Sequence, residues 1–98
     1  MRVHCNLDKN LRINLFKSLN MKQKEIAKLI NSWQPNVSRL IKGIHLPTIE
    51  QLMLLSKKTG YNRDTIIKNI KNIRIGFLTT IKPDKKFINY LFNIKKEF

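Results

Sequence analysis

The chain has few acidic residues, few helix breakers and a single cysteine. Six Asp and Glu stand against twenty Lys and Arg in 98 residues, and there are three Gly and three Pro. This composition argues against disorder along most of the length, and Cys5 has no cysteine with which to form an internal disulfide. No apolar run approaches the roughly 20 residues of a membrane span, and the start lacks the apolar core of a signal peptide. We therefore expect a single cytoplasmic domain over residues 1–98, with no membrane partner.

The shortage of carboxylates also limits the chemistry available to the chain. Acid–base catalysis and metal binding both draw on clusters of acidic, histidine and cysteine side chains. His4, Cys5 and His45 are scattered without paired spacing, and there is no Gly-rich phosphate loop. We expect no catalytic residue, no metal, no cofactor and no small-molecule effector, which means that the protein is not an enzyme.

The positive charge points to a polyanionic partner. The formal net charge is +14, and such an excess repels itself in the folded state unless an anion relieves it. The basic residues run from Arg2 to Lys96 rather than forming a tail, which favours a folded basic surface. Because Lys, Asn and Ile are all abundant, as an AT-rich genome would produce, the charge alone is weak support. Nucleic acid is the first candidate and an anionic membrane surface the second.

Apolar residues recur mainly at intervals of three and four, which predicts an all-α fold. Thr48 and Gln51 have the spacing of a capping box, and Gly43 and Gly60 are placed to end helices. The predicted helices cover about residues 7–18, 23–30 and 34–41, then run from Thr48 to Gly60, from Asn62 through Ile73, and onward from Pro83. Residues 75–81 fit either a short helix or an extended segment.

Residues 23–43 meet the requirements of a helix-turn-helix. Ala27 is small where a second helix would cross closely, and Asn31 tolerates the positive φ of a tight turn. The second helix carries polar side chains on its free face near its start, the end that enters the major groove of DNA. The apolar residues that would pack the two helices together are Ile26, Ile30, Val37 and Leu40.

This pattern resembles the phage-repressor and Cro type of helix-turn-helix. The resemblance covers about residues 7–60 and implies a five-helix, lambda-repressor-like DNA-binding core, with residues 61–98 as a helical extension. It implies that Gln34 binds adenine, that Arg39 suits guanine or a phosphate, and that Gln23 binds a phosphate and braces Gln34. The residues that carry the resemblance are Gln23, Ala27, Asn31 in place of glycine, Gln34, Val37, Ser38, Arg39, Gly43 and Pro47.

The predicted DNA contacts fall into two groups. Side chains at the start and along the free face of the second helix would read bases, and residues around the two helices would contact the DNA backbone. The base-reading group is Gln34, Pro35, Asn36, Ser38 and Arg39, and the backbone group is Lys22, Gln23, Trp33, Lys42 and His45.

The motif departs from the family pattern at the start of its second helix. Ser32 stands where an apolar residue is usual, and Trp33 stands where a Ser or Thr helix cap is usual. Pro35 falls in the first turn, where its missing N–H costs little. Trp33 either takes over part of the packing lost at Ser32 or lies on the sugar-phosphate backbone.

The C-terminal segment is rich in large apolar residues. These residues could complete the core of the monomer, but we favour a dimer interface, because a two-fold dimer contacts a palindromic operator twice. Each side chain fully buried there contributes roughly 1.5–3 kcal/mol. The predicted interface comprises Ile70, Ile73, Phe77, Phe87, Leu91 and Phe92.

The sequence therefore predicts a homodimeric, sequence-specific transcription regulator that binds double-stranded DNA through the major groove. Its length resembles that of restriction–modification controller proteins, particularly a longer type with extra C-terminal helices. Such a bacterial or phage-encoded protein would be associated with the nucleoid. The alternatives are an antitoxin or phage repressor of the same fold, and a non-specific basic nucleic-acid-binding protein.

Overall fold

The computed structural model describes residues 2–76 and 79–95, which form one core of helices with a small antiparallel sheet. In the described part of the chain, none of the helices is long and apolar enough to cross a membrane. The elements are β1 (Val3–Leu7), α1 (Lys9–Leu19), α2 (Gln23–Leu29), α3 (Gln34–Lys42), α4 (Ile49–Thr59), α5 (Arg63–Lys68), β2 (Ile70–Ile75), β3 (Thr79–Ile81) and α6 (Lys85–Lys95).

Local capping chemistry sets the limits of the helices. Thr48 and Gln51 form the predicted capping box: the Gln51 N–H donates to Thr48 Oγ1 at 3.2 Å, and the Thr48 N–H donates to Gln51 Oε1 at 3.1 Å. Asn62 caps α5 by accepting the Asp64 N–H at 2.8 Å. Gly43 and Gly60 end α3 and α4 in the left-handed conformation. The predictions at these positions are confirmed.

The fold is mostly helical, but the prediction of an all-α chain is wrong. Residues 3–7, partly assigned to the first helix, form β1, with Val3, Cys5 and Leu7 buried and the residues between them only partly buried. This alternation is the period of a half-buried strand. The first helix accordingly begins at Lys9, after the Asp8 side chain has accepted the Asn10 N–H at 3.1 Å.

The second correction concerns the predicted fifth helix, which ends at Lys68 rather than continuing through Ile73. Residues 70–75 form β2, the central strand of the sheet, with antiparallel neighbours β1 and β3. The register passes from the pair Asn6–Asn72 directly to Leu7–Ile70. The extra residue, Lys71, lets Ile70 and Ile73 face the core although they are three positions apart.

Part of the predicted dimer interface lies inside the monomer. Ile70, Ile73 and Leu91 are 3%, 0% and 0% exposed, so they complete the core of the single chain and offer no surface to a partner. Phe87 and Phe92 are half-buried and pack against that core. Phe77, the remaining predicted interface residue, lies outside the described residues.

The sheet is joined directly to the segment that follows α3. The Cys5 N–H donates to the Pro47 carbonyl at 2.8 Å, and His4 forms an isolated antiparallel bridge with Thr48. β1 therefore lies between β2 and the α3–α4 loop. Burial raises the pKa of the Cys5 thiol from 9.0 to about 12, so this group stays neutral and unreactive near pH 7.

Candidate nucleic-acid interface

The predicted helix-turn-helix is present as α2, a short turn and α3. The two helices pack through buried apolar side chains, and Ala27, at 4% exposure, lies in the same core. Its small side chain permits the close approach of backbone that the motif requires, and its carbonyl accepts the Ser32 N–H at 2.8 Å. The predicted packing residues, which are 0–2% exposed, are Ile26, Ile30, Val37 and Leu40.

Asn31 makes the turn between the two helices. Its φ of 53° lies in the left-handed region, where asparagine is tolerated better than most side chains because it is short and polar. Ile30 ends α2 and its N–H donates to the Ile26 carbonyl at 3.1 Å. The prediction that Asn31 replaces the usual turn glycine is confirmed by this geometry.

Ser32 has a polar partner on the recognition helix α3. The Asn36 amide donates from Nδ2 to Ser32 Oγ at 3.2 Å. The hydroxyl that departs from the apolar family pattern thus holds one of the predicted base-reading residues against the turn. This bond restrains the rotamer of Asn36, which reduces the conformational freedom that the side chain would lose in any contact.

The predicted base-reading residues lie on the outer side and start of α3. Gln34, Pro35 and Arg39 are exposed, whereas Asn36 and Ser38 are half-buried at the margin of the face. Gln34 and Pro35 occupy the first helical turn, so the end that carries the partial positive charge of the helix dipole also carries the side chains expected to read bases.

The predicted backbone contacts surround this face. Lys22 immediately precedes α2, without a side-chain capping bond, and it is exposed together with Lys42 and His45 at the end of α3. Gln23 is half-buried in the first turn of α2. Across the described hydrogen bonds there is none between Gln23 and the Gln34 side chain, so the brace implied by the family resemblance is absent from this structure.

Trp33 is an exposed aromatic at the start of α3. Its backbone is extended, its carbonyl accepts the Asn36 and Val37 N–H groups at 3.0 and 3.2 Å, and 62% of the residue is accessible. A side chain this exposed does not take over core packing lost at Ser32. Contact of Trp33 with the sugar-phosphate backbone stays a prediction.

Arg12, on α1, contacts the end of the recognition helix and was not singled out from the sequence. Its Nε donates to the Ile41 carbonyl at 3.2 Å. At this end of α3 the negative end of the helix dipole also stabilises the positive charge of Arg12. A Cβ added to Gly43 would lie 2.9 Å from three guanidinium atoms of Arg12. The missing side chain of Gly43 therefore gives Arg12 the space to reach α3.

Two further backbone bonds close the end of α3. The Gly43 N–H donates to the Leu40 carbonyl at 3.2 Å, and the Ile44 N–H donates to the Arg39 carbonyl at 2.9 Å. This is the pattern of a Schellman motif, which satisfies carbonyls that the helix leaves unpaired. Ile44 then projects outward with 72% of its surface accessible.

The segment that contains the helix-turn-helix carries a net positive charge, as the whole chain does. Between positions 20 and 46 the sequence holds five Lys or Arg and a single acidic residue, Glu25. Glu25 lies in the first turn of α2, where its carboxylate is stabilised by the positive end of the helix dipole. The potential over α2 and α3 therefore attracts a polyanion.

Comparison with known proteins places this geometry in a family. A profile of the helix-turn-helix family matches residues 14–66, more than half of the chain, spanning most of α1 and continuing into α5. No curated protein and no solved structure gives a significant match. The matched segment contains the complete α2–turn–α3 unit with its DNA-binding face. The chain belongs to the Cro-type helix-turn-helix family.

Proposed function

We propose that the protein is a sequence-specific transcription regulator that binds a palindromic operator as a homodimer and has no enzymatic activity. The observation that carries this proposal is the exposed, acid-poor face of α3, which presents Gln34 and Arg39 beside a turn fixed by Asn31. These side chains can pair with adenine and guanine edges in the major groove.

The arrangement supports reading of sequence as well as attraction to phosphate. A coating protein needs positive charge but gains nothing from restraining an uncharged side chain. Here Asn36 is held by Ser32 at 3.2 Å, and the end of α3 is held by Arg12 and the Schellman motif. Such preorganisation favours base-specific contact, since misplaced polar groups would lose their hydrogen bonds.

Within this class we propose a controller protein of a restriction–modification system, which regulates its own gene and the endonuclease gene. The support is the family resemblance described above and the presence of one further helix, α6, after the family core. An antitoxin or a phage repressor of the same fold is the alternative. Neighbouring endonuclease and methyltransferase genes would favour the controller, and a toxin gene the antitoxin.

The decisive experiment compares binding of Gln34→Ala to specific and random DNA. The specific site is first selected from a random DNA pool with the wild-type protein. Loss of a bidentate contact should weaken binding to that site by about 1–3 kcal/mol and leave binding to random DNA nearly unchanged. Equal losses on both DNAs would contradict direct readout by α3.

Lys42→Ala is the matched control for a phosphate contact. It should weaken binding to both DNAs alike and reduce the dependence of log K on log salt concentration by about 0.9. If Gln34→Ala and Lys42→Ala behave identically, the protein is a non-specific nucleic-acid binder driven by charge.

A further inference from the structure

A half-open cleft with polar and apolar lining lies beside the end of the recognition helix. Its volume is about 650 Å³ between the outer face of the sheet and the α3–α4 loop, a size within the usual range of small-molecule sites. Gly43 and His45 line it from the loop, and His4, Arg74 and Thr80 line it from the three strands.

The strand register brings these polar side chains onto one face. His4 is paired with Arg74, and Arg74 is paired with Thr80 across the next strand. Asn6 and Asn72 form the neighbouring pair. Since paired residues in antiparallel strands point to the same side, five hydrogen-bonding side chains share the outer face, while Ile73 and its partners face the core.

The lining of the cleft carries positive charge and no carboxylate. Arg74 is exposed, and its guanidinium has no hydrogen-bond or ion-pair partner within the described residues. His4 is held in place, because its Nδ1 lies 3.2 Å from the Leu46 carbonyl and donates to it. A planar guanidinium with free donors is suited to phosphate oxygens.

We propose that this cleft binds a phosphate group, with Arg74 as its principal ligand and Thr80 and Asn72 as neighbouring hydrogen-bonding groups. The phosphate comes either from a DNA strand that passes the end of α3 or from a free nucleotide whose base packs on Ile44. Binding of a DNA phosphate rests on the proposed function. Binding of a free nucleotide does not, because it requires only that the cleft hold a phosphate.

The test uses Arg74→Gln with Arg63→Gln as the control, since Arg63 is also an exposed arginine but lies on α5, outside this cleft. Wild-type protein is titrated with inorganic phosphate and with adenosine monophosphate, and amide shifts are followed by NMR. The salt dependence of DNA binding is measured for all three proteins, and thermal melting verifies that both variants fold.

Two results support the site and distinguish the source. A decrease of about 0.9 in the salt slope for Arg74→Gln, beyond that of Arg63→Gln, identifies the DNA backbone. Saturable shifts at His4, Arg74 and Thr80 with adenosine monophosphate, abolished in Arg74→Gln alone, identify a free nucleotide.

The proposal is overturned if neither probe shifts the cleft amides of the wild-type protein and the two variants share one salt slope. A protein that binds no DNA refutes the proposed function, yet the nucleotide titration still decides the cleft. Conversely, Gln34→Ala could weaken specific DNA binding as expected while Arg74→Gln changes neither the salt slope nor the nucleotide shifts. That result would leave the proposed regulator standing and refute the phosphate site.

Discussion

Gly43 and Gly60 occupy equivalent positions at the ends of α3 and α4 but have different surroundings. Their φ angles are 81° and 76°, so both adopt a conformation that other residues reach at a cost of about 1–2 kcal/mol. Only Gly43 also faces a side chain, because an added Cβ would lie 2.9 Å from the Arg12 guanidinium. Gly60 has nothing within 4 Å of that point.

Gly43→Ala should therefore destabilise the protein more than Gly60→Ala. We expect a small additional loss, on the order of 0.5 kcal/mol, in the free energy of unfolding, since the flexible end of Arg12 moves away from the new methyl group and loses its hydrogen bond to the Ile41 carbonyl. Urea denaturation measures both variants. The difference in stability loss between Gly43→Ala and Gly60→Ala should vanish when Arg12 is also replaced by Ala. A difference that persists in that background would contradict the contact between Arg12 and position 43.

At the residue scale, the sequence predicts the residues whose role depends only on the backbone close to them in the chain. Asn31, Thr48 and Asn62 could each be assigned because turn and cap preferences depend on nearby residues. Arg12 could not, because its partner Ile41 is distant in sequence and the two meet only after α1 packs on α3. Tertiary contact decides its role, and no local pattern records that contact.

At the scale of the element, the sequence identified the helices through α4 but missed the sheet. The spacing of Ile66, Ile67, Ile70 and Ile73 fits one side of a helix, and that is how it was interpreted. The extra residue at Lys71 gives β2 a burial period of three in place of two. In the sequence, the apolar spacing of this bulged strand is therefore the same as that of a helix. In β1 the alternation was present but covered only five residues.

Ile73 provides the test of this correction. Ile73→Ala should lower the free energy of unfolding by about 2–5 kcal/mol, because it leaves a cavity at a residue that is 0% exposed. Ile44→Ala, at a residue 72% exposed, should change stability by less than about 0.5 kcal/mol. Urea denaturation and sedimentation are measured together. If Ile73→Ala changed the oligomeric state but not the free energy of unfolding, Ile73 would belong to a dimer interface and the correction would be wrong.

At the scale of the whole molecule, the described surface that remains for the predicted dimer is on α6. Tyr90 is 40% exposed and packs edge-on against Phe87, with ring centres 5.6 Å apart. The sequence marked this segment as apolar but could not separate side chains that fill the core, such as Leu91, from those at its surface. That distinction requires the rotation of α6 against the rest of the fold.

We expect the wild-type protein to sediment as a dimer of the 11.6 kDa chain at micromolar concentration and Tyr90→Asp to sediment as a monomer. A charge placed in an apolar interface is desolvated without a partner. Trp33→Asp is the control, because it changes an exposed aromatic on the DNA-binding side. The α6 assignment fails if the wild type is monomeric or if both variants dissociate.

The pairing of β1 with β2 joins the start of the described chain to a strand made much later, since Val3 lies against Ile75. A ribosome makes β1 long before β2, whereas a domain generally folds as a unit. The α2–turn–α3 unit is thus complete while Cys5 and its neighbours still lack the strand that holds them beneath the α3–α4 loop. The support that β1 gives to the α3–α4 loop is therefore complete only after β2 is synthesised, and a chain cut short before β2 would leave β1 without its partner strand.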